Sequence, residues 1–280
     1  MTDKIAIIGF GNIAKAIITP LLDKNLIQPE NVYCVVNSEE SLENLKKNYK
    51  YNINAYKSSS KDSKIIWDCK VKLLSVKPQH LKDISEADNI SNKDNLLVSI
   101  LAGVSINRLP QRFPNHKCVR VVTNIPITVG KGLTGITWGE NLTKDQKQFT
   151  KKLFENTSKI YEFTEDYLDI FLAMTSSGPA IIALIIEALS DGGLSGGLPK
   201  ILSEELIMEM ILGTISLIKE NQLTPSELKN LVQPENVYCV VNSEKSLENI
   251  KKNYKYNINV YRSGSKSQKK YGIVNINFFR

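Results

Sequence analysis

Short apolar runs alternate with stretches of helical periodicity through the first half of the chain. The runs 4–8, 32–36, 71–76, 96–100 and 118–122 are too short for helices and show little polar alternation, so they predict strands buried on both faces. Between and after them, 12–22, 41–49, 106–113 and 144–156 place apolar residues at helical spacing, with Ser38 positioned to cap the second helix and Ser41 in its first turn. This is the pattern of a parallel sheet covered by helices. Beyond 159–163 the character changes: 167–175, 179–189 and 200–219 have helical periodicity and are separated by Gly/Ser/Pro clusters. A second, helical domain is expected to begin near Asp166, giving segments 1–163, 164–231 and 232–280.

The last of these segments is unusual. Residues 24–61 reappear as 229–266, and only six of the 38 aligned positions differ. They are Ile27/Val232, Glu40/Lys245, Leu45/Ile250, Ala55/Val260, Lys57/Arg262 and Ser59/Gly264. A structural repeat keeps its buried positions, lets exposed ones drift and recurs at short period. Here exposed Lys, Asn and Glu are kept as faithfully as apolar residues, which marks a copied segment rather than a repeat fold.

Charge follows the same division. The net charge is +7, yet residues 229–280 hold ten basic and three acidic groups, which leaves the first 228 residues neutral. The basicity belongs to the tail, so nucleic-acid binding is not expected. Four cysteines (Cys34, Cys69, Cys118, Cys239) and two distant histidines show no metal-ligand spacing, so no metal is expected. The N-terminus lacks the form of a signal peptide, and the most apolar helix candidate, 180–189, is interrupted by Glu187 and too short to span a bilayer. A reducing cytoplasm is the expected compartment.

The chemistry begins at Gly9-Phe10-Gly11-Asn12-Ile13-Ala14, which follows an apolar strand and opens a helix. Gly9 permits the turn, Gly11 lets backbone approach a pyrophosphate, and small Ala14 allows helix and strand to pack closely. The alternative is a glycine turn that binds nothing. The second strand ends in Asn37 and Ser38, where an NAD enzyme would place an acidic residue on the ribose 2′-hydroxyl. Uncharged donors favour NADP over NAD, although Asn37 as a turn residue and Ser38 as a cap would explain both. Ser75-Val76-Lys77-Pro78 and Ala102-Gly103-Val104 end further strands, where open α/β sheets bind ligands. Asn124 before Ile125-Pro126 suits orienting a small ligand or forming a plain loop. Residues 174–180, Met-Thr-Ser-Ser-Gly-Pro-Ala, suit a carboxylate at a helix start or a simple N-cap.

In order along the chain, I-I-G-F-G-N-I-A, S-V-K-P, A-G-V-S-I, R-V-V-T-N-I-P, T-S-S-G-P-A, S-D-G-G-L-S-G-G-L-P-K and P-S-E-L-K-N-L-V resemble pyrroline-5-carboxylate reductase, over about residues 4–232. The resemblance implies an α/β fold: an N-terminal Rossmann-like dinucleotide-binding domain, then an all-helical domain that interlocks with a second copy, with larger homo-oligomers in some members. It also implies reduction of 1-pyrroline-5-carboxylate to L-proline with NADPH as hydride donor, NADH being the other candidate. Carried over residue by residue, the cofactor positions are Gly9, Gly11, Asn12, Ile13, Asn37, Ser38, Val76, Lys77 and Ala102. The substrate positions are Asn124, Glu165 and Ser177. No catalytic acid is identified, and neither nucleic acid nor membrane is an expected partner.

Two departures stand out. Ser176 occupies the place of a family glycine, and the family's Ser-Pro-Gly-Gly-Thr-Thr substrate loop and final helices are replaced after Val232 by copied text. Impaired turnover is therefore expected. The alternatives to a working reductase are a catalytically defective NADPH-binding protein, which is the favoured state, and a non-enzymatic dinucleotide-binding or interaction protein. The copied strand should lack the neighbours of its original and pack poorly. It should also compete for the original's slot and lose, because the first copy is tethered directly to the glycine turn.

Overall fold

The computed structural model describes residues 3–84 and 95–232, together with the backbone of 238–241 and 259–262. Contacts divide the chain into two compact units, Met1–Pro179 and Ala180–Arg280.

The first unit is built on β1 (Ile5–Ile8), β2 (Val32–Val36), β3 (Asn54–Lys57), β4 (Val71–Leu74), β5 (Asn95–Ser99), β6 (His116–Thr123), β7 (Gly132–Trp138) and β8 (Ser158–Glu162). They form one sheet in the order β3-β2-β1-β4-β5-β6-β7-β8. The first six are parallel in the Rossmann order; β7 runs antiparallel to β6, and β8 parallel to β7. Every residue of β1, β2, β4 and β5 is buried, as continuous apolar runs require when helices cover both faces. Alternation along β1 divides the core: Ile5 and Ile7 join Ile17 and Leu21 of α1 (Asn12–Asp23) on one face, while Ala6 and Ile8 join Trp67 and Phe113 on the other.

The helices α2 (Glu39–Asn48), α3 (Arg108–Arg112) and α4 (Lys144–Phe154) lie within a few residues of their expected positions. The apolar runs did not single out β3 or β7. The first is a half-buried edge strand containing Asn54 and Lys57, and the second is diluted by Gly132 and Gly135. Gly135 is there for packing, since a Cβ would lie 2.7 Å from Leu168 Cδ1 and 2.9 Å from Phe171 Cδ1 on α5 (Glu165–Ser176). Because α5 packs on the sheet in this way, the first compact unit runs past Asp166 to Pro179.

One expectation needs correcting. The apolar helix is not limited to 180–189: helical structure runs from Glu165 to Ser195, through α5 and α6 (Gly178–Ser195), and its 31 residues are long and apolar enough to cross a membrane. Gly192 and Gly193 did not stop the helix as the local pattern suggested. Leu168, near the start of this run, is fully buried against the sheet.

The second unit holds most of α6, α7 (Lys200–Glu220) and α8 (Pro225–Leu231). Ser203 donates its hydroxyl to the Ser190 carbonyl at 2.8 Å, joining α7 to α6. Thr224 and Glu227 form a capping box at the start of α8. Apolar side chains stay exposed on both long helices, among them Ile181, Leu184, Ile201 and Leu212. In the tail, β9 (Tyr238–Val241) and β10 (Asn259–Arg262) pair in a parallel sheet of their own, with Tyr238 opposite Asn259. The first copy thus occupies the slot in the large sheet. The expectation of poor packing for the rest of the tail lies outside the described residues.

Candidate dinucleotide site

At the carboxyl ends of β1, β2 and β4 lies a cavity of about 620 Å³, where open α/β sheets place ligands. Its floor is the glycine turn. Gly9 has φ +90, and a Cβ there would lie 2.9 Å from the Ser75 carbonyl oxygen and 2.9 Å from Val76 Cγ1. Ser75 closes the arrangement with a hydroxyl bond to the Gly9 carbonyl, and the Gly9 amide donates to the Val35 carbonyl at 2.9 Å. Gly11 is different: space above it is open, with no atom within 4 Å of a Cβ placed there. Next to that opening α1 begins with no side-chain cap, so the amides of its first turn are available to an anion. An open backbone cradle beside uncapped helix amides fits a pyrophosphate.

Of the cofactor residues carried over from sequence, Gly9, Gly11, Asn12, Asn37, Val76 and Lys77 line this cavity. Ile13 does not; its side chain packs against the core, which leaves its backbone as the part able to face a ligand. Ser38 is also outside the lining and acts as the cap of α2: it accepts from the Ser41 amide at 3.1 Å and donates to Ser41 Oγ at 2.7 Å. Ala102 is exposed at the end of β5, beside Gly103 with φ +70 and open space above it.

The three substrate candidates separate into two places. Asn124 is buried, accepting from the Leu133 amide at 2.8 Å and donating to the Thr175 carbonyl at 3.2 Å. This brings it near Ser177, which is exposed just after α5. Glu165 begins the same helix, about 18 Å away along its axis at about 1.5 Å per residue. Its carboxylate receives the Arg120 guanidinium at 2.5 Å and the Ile106 amide at 3.1 Å, while Asp169 takes the other Arg120 nitrogen at 2.7 Å. The Arg120 side chain is 1% exposed, so this cluster joins α5 to β6. Within one chain, Glu165 is thus held at the opposite end of α5 from Asn124 and Ser177.

Sequence reading missed Ser58, Ser63 and Lys64, which line the cavity beyond β3. Their signal was a serine- and lysine-rich stretch after an inconspicuous edge strand. Cys34, Cys69 and His116 lie outside this lining. Burial pushes the Cys34 thiol up to about 12 and Cys69 to about 11. Burial and the charge of Lys72 push His116 down to about 3, so it stays neutral.

The chain is similar to known proteins in sequence and in fold. Residues 165–236 match the pattern of pyrroline-5-carboxylate reductase dimerisation, and residues 4–103 that of the NADP oxidoreductase, coenzyme F420-dependent, family. The pyrroline-5-carboxylate reductase of Synechocystis sp. is 33% identical over 232 residues, covering 83% of this chain and 85% of that protein. The Arabidopsis thaliana enzyme is 28% identical over 228 residues, 81% of each chain. Among solved structures, Plasmodium falciparum pyrroline carboxylate reductase with NADP bound has a TM-score of 0.69 at 24% identity, covering 90% of each chain. The 1-pyrroline-5-carboxylate reductase of Streptococcus pyogenes reaches 0.72 at 21% identity, covering 90% of this chain and 91% of that one. At these identities the structural likeness speaks for the fold.

Proposed function

Because the chain belongs to the pyrroline-5-carboxylate reductase family, we propose that it binds NADPH and reduces 1-pyrroline-5-carboxylate to L-proline, the last step of proline biosynthesis. The observation that carries the reading is the cavity at the glycine turn, where open backbone and uncapped amides meet the ends of three strands. When bound, NADPH supplies the hydride. The protein's work is positioning, since a protonated cyclic imine is already an electrophile and needs little from side chains beyond orientation.

Gly9, Gly11, Asn12 and the Ile13 amide hold the pyrophosphate in this reading. Asn37 and the capped Ser38–Ser41 turn face the 2′ side of the adenosine. Val76, Lys77 and Ala102 guide the rest of the dinucleotide along the strand ends, and NADH is the weaker donor. Asn124 shapes the substrate end together with Ser177, whereas Glu165 acts through Arg120 to hold α5 in place. The exposed apolar faces of α6 and α7 are the natural seat of a second copy, and the match of 165–236 to a dimerisation pattern supports a homodimer. We place the protein in the cytoplasm, where its buried free thiols stay reduced.

The dimerisation match ends at residue 236, inside the copied text that begins at Lys229. On this ground we expect turnover to be lowered by orders of magnitude, because orientation is worth several kcal/mol, about 7–11 at the extreme. An NADPH-consumption assay with pyrroline-5-carboxylate tests this beside the same chain carrying a family-type C-terminus. NADPH binding with slow consumption, restored by the exchange, is the expected result. Equal rates would remove the claim of impairment. A folded chain that binds no NADPH would overturn the reductase reading and leave an interaction protein.

A further inference from the structure

We propose that Lys64 supplies the positive charge that selects a 2′-phosphorylated dinucleotide over its unphosphorylated counterpart; this rests on the dinucleotide reading above. The parallel register pairs Val36 with Lys57, which places Asn37 and Ser58 side by side just past the ends of β2 and β3. Ser58 donates its hydroxyl to Asn37 Oδ1 at 3.2 Å, so the carboxamide oxygen is occupied and its NH2 is left as a donor. Both residues line the cavity, yet neither carries charge. Ser38 is engaged as a helix cap, and Lys57 is paired with Glu39 at 3.3 Å. At this end of the cavity Glu40 adds a negative charge, which by itself would repel a phosphate.

Lys64 is the group that reverses this balance. It sits on the tight helical turn Lys61–Asp68, lines the cavity, and makes no ion pair among the described residues. The turn is fixed to the strand end by Ser63, a buried residue whose hydroxyl reaches the Ser58 carbonyl at 3.1 Å and the Ser60 carbonyl at 2.7 Å. Ser60 in turn accepts from the Ser63 amide at 3.2 Å. The lysine is thus carried by a turn bonded to Ser58, in the same cavity as the two uncharged donors. Lys15 and Lys77 also line the cavity, but they extend from α1 and from the end of β4, beside the glycine turn that both dinucleotides share.

The test is titration of the full chain with NADPH and with NADH, followed by dinucleotide fluorescence at low and moderate salt. Lys64→Gln should weaken NADPH about tenfold and leave NADH unchanged, because only the first carries the phosphate. Lys64→Arg should keep the preference, and Lys61→Gln, a lysine outside the lining, should change neither affinity. Salt should weaken NADPH less in Lys64→Gln than in the unmodified chain. Equal affinities for the two dinucleotides in the unmodified chain, or a Lys64→Gln variant with an unaltered NADPH/NADH ratio, would overturn the assignment of Lys64 while leaving the reductase reading intact. Binding of neither dinucleotide by the unmodified, folded chain would overturn both.

Discussion

Residues 33–36 and 238–241 both read Tyr-Cys-Val-Val, but β2 lies between β1 and β3 in the eight-stranded sheet while β9 pairs with β10 in a sheet of two. The pairing inside each copy is the same. Tyr33 faces Asn54 and Val36 faces Lys57; 205 positions later Tyr238 faces Asn259 and Val241 faces Arg262. Register is therefore a property of the copied text itself. Membership of the large sheet is not. It depends on β1, which precedes β2 through one helix and pairs with it residue by residue, Ile5 with Val32 through Ile8 with Val35. A short right-handed crossover closes that pair at little entropic cost. By contrast, β9 follows α8, and no strand stands between them among the described residues.

The sharpest way to break the comparison is to make the same change in both copies. Val35→Asp puts a carboxylate into a strand that is 7% exposed at this position, and should destabilise the first unit by about 4 kcal/mol or more. Val240→Asp, at the equivalent position, should leave the thermal midpoint of that unit unchanged, since a lone two-stranded sheet adds little independent stability. Equal losses in thermal unfolding would mean that the copies share one environment.

Acid should separate the units next. His116 on β6 is neutral in the fold and would take up a proton near its ordinary 6.5 once unfolded; its folded value is about 3. A depressed folded value means that the stability is present above about pH 6.5 and is lost as the pH falls toward 3. The loss should approach about 1.4 kcal/mol per pH unit within that window. Trp67, whose ring centre is 5.8 Å from that of His116, reports it by fluorescence. A flat stability profile between those limits, in denaturant titrations at several pH values, would contradict the burial of His116.

Asn37→Asp should move dinucleotide preference toward NADH by about tenfold, because a carboxylate repels a 2′-phosphate and accepts from a 2′-hydroxyl. Asn242→Asp, its counterpart in the copy, should have no effect on either affinity. A shift from both would show that the tail also contributes to dinucleotide binding. The smallest effect concerns one of the six differences. Ile27 is 1% exposed, so Ile27→Val should cost about 1 kcal/mol in equilibrium unfolding, whereas Val232→Ile should be neutral. A cost for the second as large as for the first would put Val232 in an equally tight core.

Much of the fold was legible because its signals are local. Buried parallel strands read as unbroken apolar runs, and the glycine turn announced itself through a strand before it and a helix after it. The candidate site was legible where backbone does the work, at Gly9 and Gly11. It was obscure where polar side chains meet across the sheet. Nothing near Asn124 in sequence shows that its amide bridges Leu133 and Thr175, and nothing near Glu165 shows that Arg120 waits on a neighbouring strand.

The sequence by itself determined the buried strands β1, β2, β4, β5 and β6, the turn that opens α1, the Ser38 cap of α2 and the family resemblance, since each is written in residues close together or in ordered motifs. Only the tertiary structure decided that α5 belongs with the sheet and that Lys64 lines the same cavity as Asn37 and Ser58. Those outcomes depend on contacts between residues far apart along the chain, where packing partners and buried charges select among arrangements that the local pattern allows equally.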